Sequence, residues 1–301
     1  MQKTPGEAGI SMPWIAKQWK KLRSTSRYAF FLMRRNPLSL VGGGIVLFLV
    51  LLAIIGPFFT PYPPAKSDIT SKSLPPSSTH WMGTDNLGMD IFSRVVHAAR
   101  TDLLIALIGV CGAVAIGTSF GLVSAFYGRW VDEVMMRVLD SLQAFPTIIL
   151  AMTIAAVLGP STRNVVIVLV VVNFPLYARL IRSLVLSLKE SQYIDAARVV
   201  GCGDARLMFR HILPNCVGPI YVQGSLNIGW SVLMAATLSF IGLGTQPPAP
   251  EWGVMIKQGA RFMILGRWWM AFFPGLFIFL FVLASNLLGD GLQDVLDPKR
   301  R

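Results

Sequence analysis

Residues 193–215 read YIDAARVVGCGDARLMFRHILPN and combine acidic and basic side chains with two glycines. The ionisable residues include Asp195, Arg198, Asp204, Arg206 and Arg210. Charged side chains are costly in lipid, so this stretch is unlike the apolar segments around it. The chemistry available to it is that of ion pairs and hydrogen bonds at a surface. The segment therefore predicts a surface insert in a largely apolar chain.

The other residues that could do chemistry argue against an enzyme. An ATPase phosphate loop needs Gly-Lys followed by Ser or Thr, and no Gly-Lys dipeptide occurs in the 301 residues. The chain has three histidines, and His80 and His97 are too far apart to suggest a metal site. The sequence contains no nucleophile elbow, and no pair of carboxylates lies in the middle of its long apolar segments. We expect no catalytic residue, cofactor or metal on this chain.

The composition predicts an integral membrane protein. The chain is 53% hydrophobic and 14% charged, whereas soluble domains contain about 25% charged residues. Roughly 20 apolar residues cross the hydrocarbon core as a helix, and six segments between charged residues meet or approach this length. We expect an all-α integral membrane protein with six transmembrane helices, at residues 38–59, 103–127, 142–159, 164–182, 217–243 and 268–289.

The basic residues predict the orientation. Of the 27 Lys and Arg residues, eight lie in 1–37 and six in 179–211, against four in 60–102. The positive-inside rule therefore places both termini in the cytoplasm. The net charge of +12 follows from this bias and from contact with anionic headgroups, and it requires no nucleic acid. The three cysteines lie at mid-membrane or cytoplasmic positions, which argues against a disulfide framework.

The segments outside the spans complete the expected organisation. We expect a cytoplasmic basic tail, a first transmembrane helix, an extracytoplasmic linker with a surface helix, a five-helix core and a cytoplasmic tail, at 1–37, 38–59, 60–102, 103–289 and 290–301. Within the linker, residues 83–100 have Ile91 and Val95 on one helical face and place Asp90 four residues before Arg94. We expect an amphipathic helix on the outer surface there, with these two charges paired.

The insert itself, 186–215, is predicted to form helix, glycine turn and helix. The first helix covers Ser187 to Val200, and Gly201 and Gly203 end it because glycine readily adopts left-handed conformations. Asp204 is a good N-cap for the second helix, which Pro214 limits. The second helix carries three apolar side chains that the membrane spans do not account for, namely Leu207, Met208 and Phe209. They indicate either docking to a partner groove or folding back against the chain's own helix ends.

Polar residues also occur inside the later spans. Asn173, Asn227 and Ser231 could hydrogen-bond between helices or line a polar route, and the sequence leaves both readings open. No Asp, Glu, Lys or Arg falls at mid-depth in any span. Carriers driven by protons or ions usually need such a group, so its absence argues against a stand-alone secondary carrier.

The order of residues in the insert resembles the cytoplasmic "EAA" loop of ABC importer permeases. The matching positions are Asp195-Ala196-Ala197, Gly201 and Leu213-Pro214. The resemblance extends over about 38–300. The chain is similar to the C-type permease subunit of dipeptide and oligopeptide importers, and the matching stretches are MGTDNLGMDIFSR, FRHILPN, LSFIGLGTQPPAPEWGVM and FPGL…NLLGDGLQDVLDPK. Two positions depart from the family pattern: Asp195 replaces a Glu, and Met89 replaces an Arg.

The resemblance implies a multi-subunit importer in the bacterial inner membrane. The expected partners are a homologous second permease, two ABC ATPase subunits that bind ATP and Mg, an extracytoplasmic solute-binding protein, peptide cargo and the lipid bilayer. The insert would supply a coupling helix for the ATPase and drive alternating access. The expected coupling residues are Asp195, Ala196, Ala197, Gly201, Gly203, Asp204, Arg206, Leu207, Met208, Phe209, Arg210, Leu213 and Pro214. Pathway or gate residues are expected among Asn173, Asn227, Ser231, Gly242, Gly244, Pro247, Pro248 and Trp252.

Cargo is the open point of this resemblance. Related permeases carry dipeptides, longer peptides, glutathione or nickel chelates, and selectivity rests largely with the binding protein. A stand-alone carrier or channel is the alternative from another class.

Overall fold

The computed structural model describes residues 37–296. Within that range the chain forms ten α-helices and no strand, apart from one isolated bridge between Thr84 and Asp90. The helices are α1 (Pro37–Ile55), α2 (Ile91–Tyr127), α3 (Arg129–Gln143), α4 (Thr147–Leu158), α5 (Thr162–Lys189), α6 (Gln192–Val199), α7 (Asp204–Arg206), α8 (Leu213–Ile241), α9 (Trp252–Ala260) and α10 (Trp269–Leu296). The all-α membrane fold expected from the sequence is confirmed.

Five helical segments are long and apolar enough to cross a membrane, and a sixth crossing is present only if α3 and α4 are counted together. The two helices meet at an angle of 88°, and within the span expected at 142–159 the continuous helix is α4, Thr147–Leu158. Pro146 occupies the N-cap position of α4, where its ring and missing N–H prevent the helix from continuing from α3. With 12 residues, α4 is only about 18 Å long.

Helix α2 also departs from expectation, because it runs unbroken for 37 residues. The surface helix expected at 83–100 and the span expected from 103 are one element, so a separate surface helix is wrong. Asp90 is the N-cap and accepts a hydrogen bond from the Ser93 amide at 2.8 Å. Its second oxygen contacts His80 Nδ1 at 2.9 Å. Arg94 turns instead to Asp85, with Nε 3.9 Å from Oδ2, so the Asp90–Arg94 pair is also wrong.

The closest helix packing joins α2 and α5. Gly117 and Gly121 lie one helical turn apart and face the backbone of α5, where a Cβ at either position would collide with a carbonyl oxygen, that of Phe174 or Ala178. Gly109 likewise faces Leu169. Small residues at this spacing let two membrane helices approach backbone to backbone.

The other helices pack around this pair. Helix α10 lies against α1, α8 and α9, and the largest apolar cluster includes Leu49, Val95, Val232, Trp252 and Phe281. The antiparallel helices give the bundle two ends. We call the end carrying residues 60–90 and 242–268 the long-loop end, and the end carrying 128–146 and 190–212 the insert end.

The described range ends inside two expected segments. The expected tail at 1–37 lies outside the described residues except for Pro37, and so do the last five residues of the tail expected at 290–301. The rest of that tail continues α10 to Leu296.

We expect Gly121→Val to destabilise the bundle by about 1–3 kcal/mol, because the larger side chain has no room beside the α5 backbone. The matched control is Gly44→Val on α1, where an added Cβ meets nothing within 4 Å. Thermal unfolding of the purified protein in mild detergent measures both. Equal unfolding temperatures for the two variants would contradict the close α2–α5 packing.

Candidate functional site

The insert is built differently from the expected pair of helices. Helix α5 ends at Lys189, and a turn at Ser191, whose amide bonds to the Leu188 carbonyl, separates it from α6. The single helix expected from Ser187 to Val200 is therefore wrong. Gly201 has φ of +84°, which confirms the left-handed glycine turn after α6.

The second half of the insert is continuous with a membrane helix. Gly203 occupies the N-cap position of α7 and no side chain caps it, so Asp204 as N-cap is wrong. A π-helical turn, Leu207–Ile212, joins α7 to α8. The continuous helical stretch Asp204–Ile241 is long and apolar enough to cross a membrane as one segment. Pro214 does not limit this helix, since it lies in the first turn of α8, where its missing N–H is of least consequence.

The apolar side chains of the insert divide into an anchored set and an exposed set. Leu207 and Met208 are buried, so these two side chains are not available for docking. With Ile194 they pack against residues near the ends of α2, α5 and α8, namely Leu122, Ala125, Ile181, Val185, Ile212 and Cys216. This is the folding back that the sequence left open. Only Phe209 of the expected trio is exposed, at 61%.

The sequence interpretation missed two exposed residues. Val199 and Val200, at the end of α6, are 88% and 84% exposed, and Tyr193 is partly exposed. A signal was available, because Ile194 defines the buried face of α6, and a helical wheel then turns Val199 outward. The exposed members of the expected coupling set are Asp195, Ala196, Gly201, Gly203, Asp204, Arg206, Phe209, Arg210 and Pro214, while Ala197 and Leu213 are half-buried.

Ion pairs fix the insert end to the bundle. Arg182 of α5 donates two hydrogen bonds to Asp132 of α3, from Nε at 2.7 Å and from Nη2 at 2.6 Å. Lys189 Nζ donates to the Ala125 carbonyl at the end of α2, 3.2 Å away. By contrast, Asp195 and Arg198 on α6 are 4.0 Å apart and largely exposed, which contributes little to stability. The ends of α2, α3 and α5 are thus held together by polar contacts, and the outer face of α6 is exposed to solvent.

The polar residues expected on a pathway lie mostly inside the chain. Asn173, Asn227 and Ser231 are buried. Asn227 Nδ2 donates to Asn173 Oδ1 at 3.3 Å and to Tyr177 Oη at 3.1 Å. This arrangement favours hydrogen bonding between α5 and α8 over a lining role.

The expected gate residues lie together at the long-loop end. Gly242, with φ of +106°, ends α8 in the left-handed conformation, and Gly244 is packed against Ser239. Trp252 is fully buried and donates from Nε1 to the Val95 carbonyl at 3.1 Å. Pro247 and Pro248 are exposed, and the Pro248 carbonyl accepts from Arg94 Nη1 at 3.3 Å.

Two buried carboxyl groups hold the start of α9, and the sequence interpretation named neither. Glu251 accepts from the amides of Gly253 and Val254 at 2.9 and 2.8 Å, and Asp102 of α2 accepts from the Trp252 amide at 3.0 Å. Both side chains are fully buried, and Oδ1 of Asp102 is a buried oxygen without a hydrogen-bond partner among the described residues. Burial raises the pKa of Glu251 above its ordinary value.

Known proteins identify this architecture. Residues 117–301 match the family described as the binding-protein-dependent transport system inner membrane component, and residues 24–76 match the N-terminal transmembrane domain of oligopeptide transport permease C. The chain therefore belongs to the family of inner-membrane permeases of binding-protein-dependent transport systems, and it is a multi-pass inner-membrane transport subunit.

Similar full-length relatives narrow the comparison. The dipeptide transport system permease protein of Alkalihalophilus pseudofirmus is 44% identical over 91% of this chain and 90% of its own length. The glutathione transport system permease protein of Pectobacterium atrosepticum is 42% identical, covering 93% of each chain. A probable D,D-dipeptide transport system permease protein of Escherichia coli is 39% identical over 93% of this chain and 94% of its own length.

We expect Asp102→Asn to preserve the start of α9, because its amide oxygen still accepts from the Trp252 amide. Asp102→Leu leaves that amide without an acceptor and should cost about 1–3 kcal/mol. Unfolding temperatures measured from pH 5 to 8 test both. The raised pKa of Glu251 means that the unaltered protein loses stability as pH rises above 4.5, the ordinary value. A flatter profile is expected for Glu251→Gln, which removes the buried ionisable group, and an unchanged slope would contradict burial of Glu251 as the cause.

Gly201 provides a second test of the insert. Gly201→Val should be strained, because the position requires φ of +84°, whereas Gly201→Asn should be tolerated, since Asn adopts this region far more readily. An added Cβ meets nothing within 4 Å, so backbone conformation alone separates the variants. Substrate uptake by the transporter that contains each variant is the measurement. Equal loss for both variants would show that the turn conformation is not the determinant.

Proposed function

We propose that this chain is the C-type permease subunit of an ATP-driven, binding-protein-dependent importer of dipeptides or oligopeptides. The single observation that carries the proposal is the insert, in which buried Ile194, Leu207 and Met208 anchor a short helix whose outer face keeps Val199 and Val200 exposed. The dipeptide permease at 44% identity and the D,D-dipeptide permease at 39% support peptide cargo. Sequence motifs and fold point in the same direction.

The insert end faces the cytoplasm in this proposal. The cluster of basic residues in 179–211 and the basic segment 1–37 support it by the positive-inside rule. The long-loop end then faces outward, where a binding protein delivers cargo. Both termini are cytoplasmic.

The partner ATPase subunits bind ATP and Mg, and a homologous second permease completes the pathway. Helix α6, with Asp195, Ala196 and Ala197, fits a groove of the ATPase, while Gly201 and Gly203 set the turn that follows it. Movement of the insert is carried by the continuous helix from Asp204 to Ile241 to the long-loop end, where Gly242 and Gly244 begin the gate loop. This lever gives a physical route for alternating access.

Glutathione is the second candidate cargo, because the permease at 42% identity carries that name. Glutathione is itself a short peptide with free carboxylates, so the same architecture suits both. Uptake of each labelled compound by the reconstituted transporter separates them.

Purification of the tagged chain in mild detergent from its native membranes tests the assembly. We expect recovery of a second permease and of ATPase subunits, followed by ATP-dependent peptide uptake once the complex and its binding protein are placed in proteoliposomes. Recovery of this chain alone, still competent for uptake after reconstitution, would overturn the proposal in favour of a carrier.

We expect Val199→Asp and Val200→Asp to reduce ATPase binding strongly. Neither variant should unfold the chain, because both side chains are already exposed to solvent. Ile264→Asp is the matched control, because Ile264 is 93% exposed at the opposite end. Co-purification of the ATPase and transport-coupled hydrolysis are measured for all three. Full recruitment by the Val199 and Val200 variants would remove α6 from the coupling surface.

A further inference from the structure

A pocket of about 360 Å³ opens at the long-loop end, between the end of α8, the loop that follows it, and α9. Residues of four segments line it: Asn86, Ser239, Thr245, Gln246, Pro247, Val254, Lys257, Gln258, Arg261 and Phe262. Ser239, Thr245 and Val254 are buried residues, so the pocket reaches inward between α8 and α9. Its shape is that of a cleft for a small molecule more than of a flat docking face.

The pocket is electropositive. Lys257 and Arg261 are four residues apart, so they project from the same side of α9 and its final turn. No acidic residue lines the pocket, and neither cation forms an ion pair among the residues described here. Like charges at this spacing disfavour each other. An anion bound between them relieves that repulsion.

The surroundings of Lys257 account for one of the two charges. A Cβ at Gly242 would lie 2.5 Å from Lys257 Nζ, so the ammonium group sits beside the C-terminal cap of α8, where helix carbonyls attract a cation. Arg261 is exposed and has no such contact. The helix end therefore explains the position of Lys257, whereas Arg261 remains available to a ligand.

The polar walls suit a peptide carboxylate. Asn86 and Gln246 supply amide groups that can hydrogen-bond to a peptide backbone. Gln246 is fixed in place because its Nε2 lies 3.0–3.3 Å from the carbonyl oxygens of Gly242, Gly244 and Thr245, which leaves its Oε1 to accept from a peptide amide. Guanidinium and ammonium groups provide charge-assisted hydrogen bonds to a carboxylate.

We propose that this pocket binds the C-terminal carboxylate of an incoming peptide, with Arg261 and Lys257 holding the charge and the amide side chains contacting the peptide backbone. The inference rests on the proposed function for its cargo and adds a site on the permease itself. The pocket adjoins Gly242 and Gly244, so a bound peptide lies beside the loop that begins at the end of α8.

The test uses the assembled transporter with Gln258→Cys as a reporter, after the three native cysteines, Cys111, Cys202 and Cys216, are replaced by serine. The labelling rates of an anionic and a cationic methanethiosulfonate reagent are compared. We expect the anionic reagent to react faster by on the order of tenfold, because two nearby cations attract it. Lys257→Gln with Arg261→Gln should abolish this preference, whereas Arg163→Gln, an exposed cation at the same end, should retain it.

Ligand binding is tested in the same background by protection from labelling. Dialanine should slow the reaction, and dialanine amide, which lacks the carboxylate, should not. The single variant Arg261→Gln, at an exposed position, should weaken protection even if the double variant fails to fold. Equal protection by dialanine and its amide, or none by either in a complex that imports dialanine, would overturn the pocket while leaving the importer intact. A complex that imports no peptide would instead overturn the proposed function.

Discussion

The close approach of α2 and α5 is the constraint on which the other features depend. Gly117 and Gly121 allow the two backbones to touch, and this contact sets the distance between the ends of both helices. At the insert end, α3 follows directly from α2, so Asp132 falls within reach of Arg182 on α5. Leu122 and Val185 then form part of the floor on which Ile194 and Leu207 pack. The insert is thus positioned by backbone contact within the membrane.

At the long-loop end, buried polar side chains hold the helices together, whereas α2 and α5 pack through small residues. Asp102 and Glu251 together accept the first three amides of α9, which satisfies donors that a helix start leaves unpaired. Trp252 is buried against α2 at the same point. Helix α9 is therefore tied to α2, while the loop preceding it is tied to α8 through Ser239, which accepts from the Thr245 amide. This loop therefore connects α8 to α9, in addition to the direct packing of α8 against α2.

Sequence reasoning predicted the features that depend on local signals. Apolar length defined five spans, and the left-handed turn at Gly201 follows from glycine itself. The break at Pro146 also had a local signal, because a proline interrupts the apolar segment. A prediction based only on the length of that segment overlooks it. The burial of Leu207 and Met208 depends on α2 and α5, which lie far away in the chain. Asp102 meets the α9 start 150 positions later, and no pattern in a single sequence reports such a contact.

The bend between α3 and α4 has a consequence for the surrounding lipid. Helix α4 has 12 residues and spans about 18 Å, whereas the hydrocarbon core is about 30 Å thick. A lone chain would have to thin the bilayer around this short element, at a cost of fractions of a kcal/mol per Å of mismatch. A neighbouring subunit that covers the bend removes lipid from this region. In the proposed assembly, such a contact would relieve the elastic cost of the short helix in the bilayer.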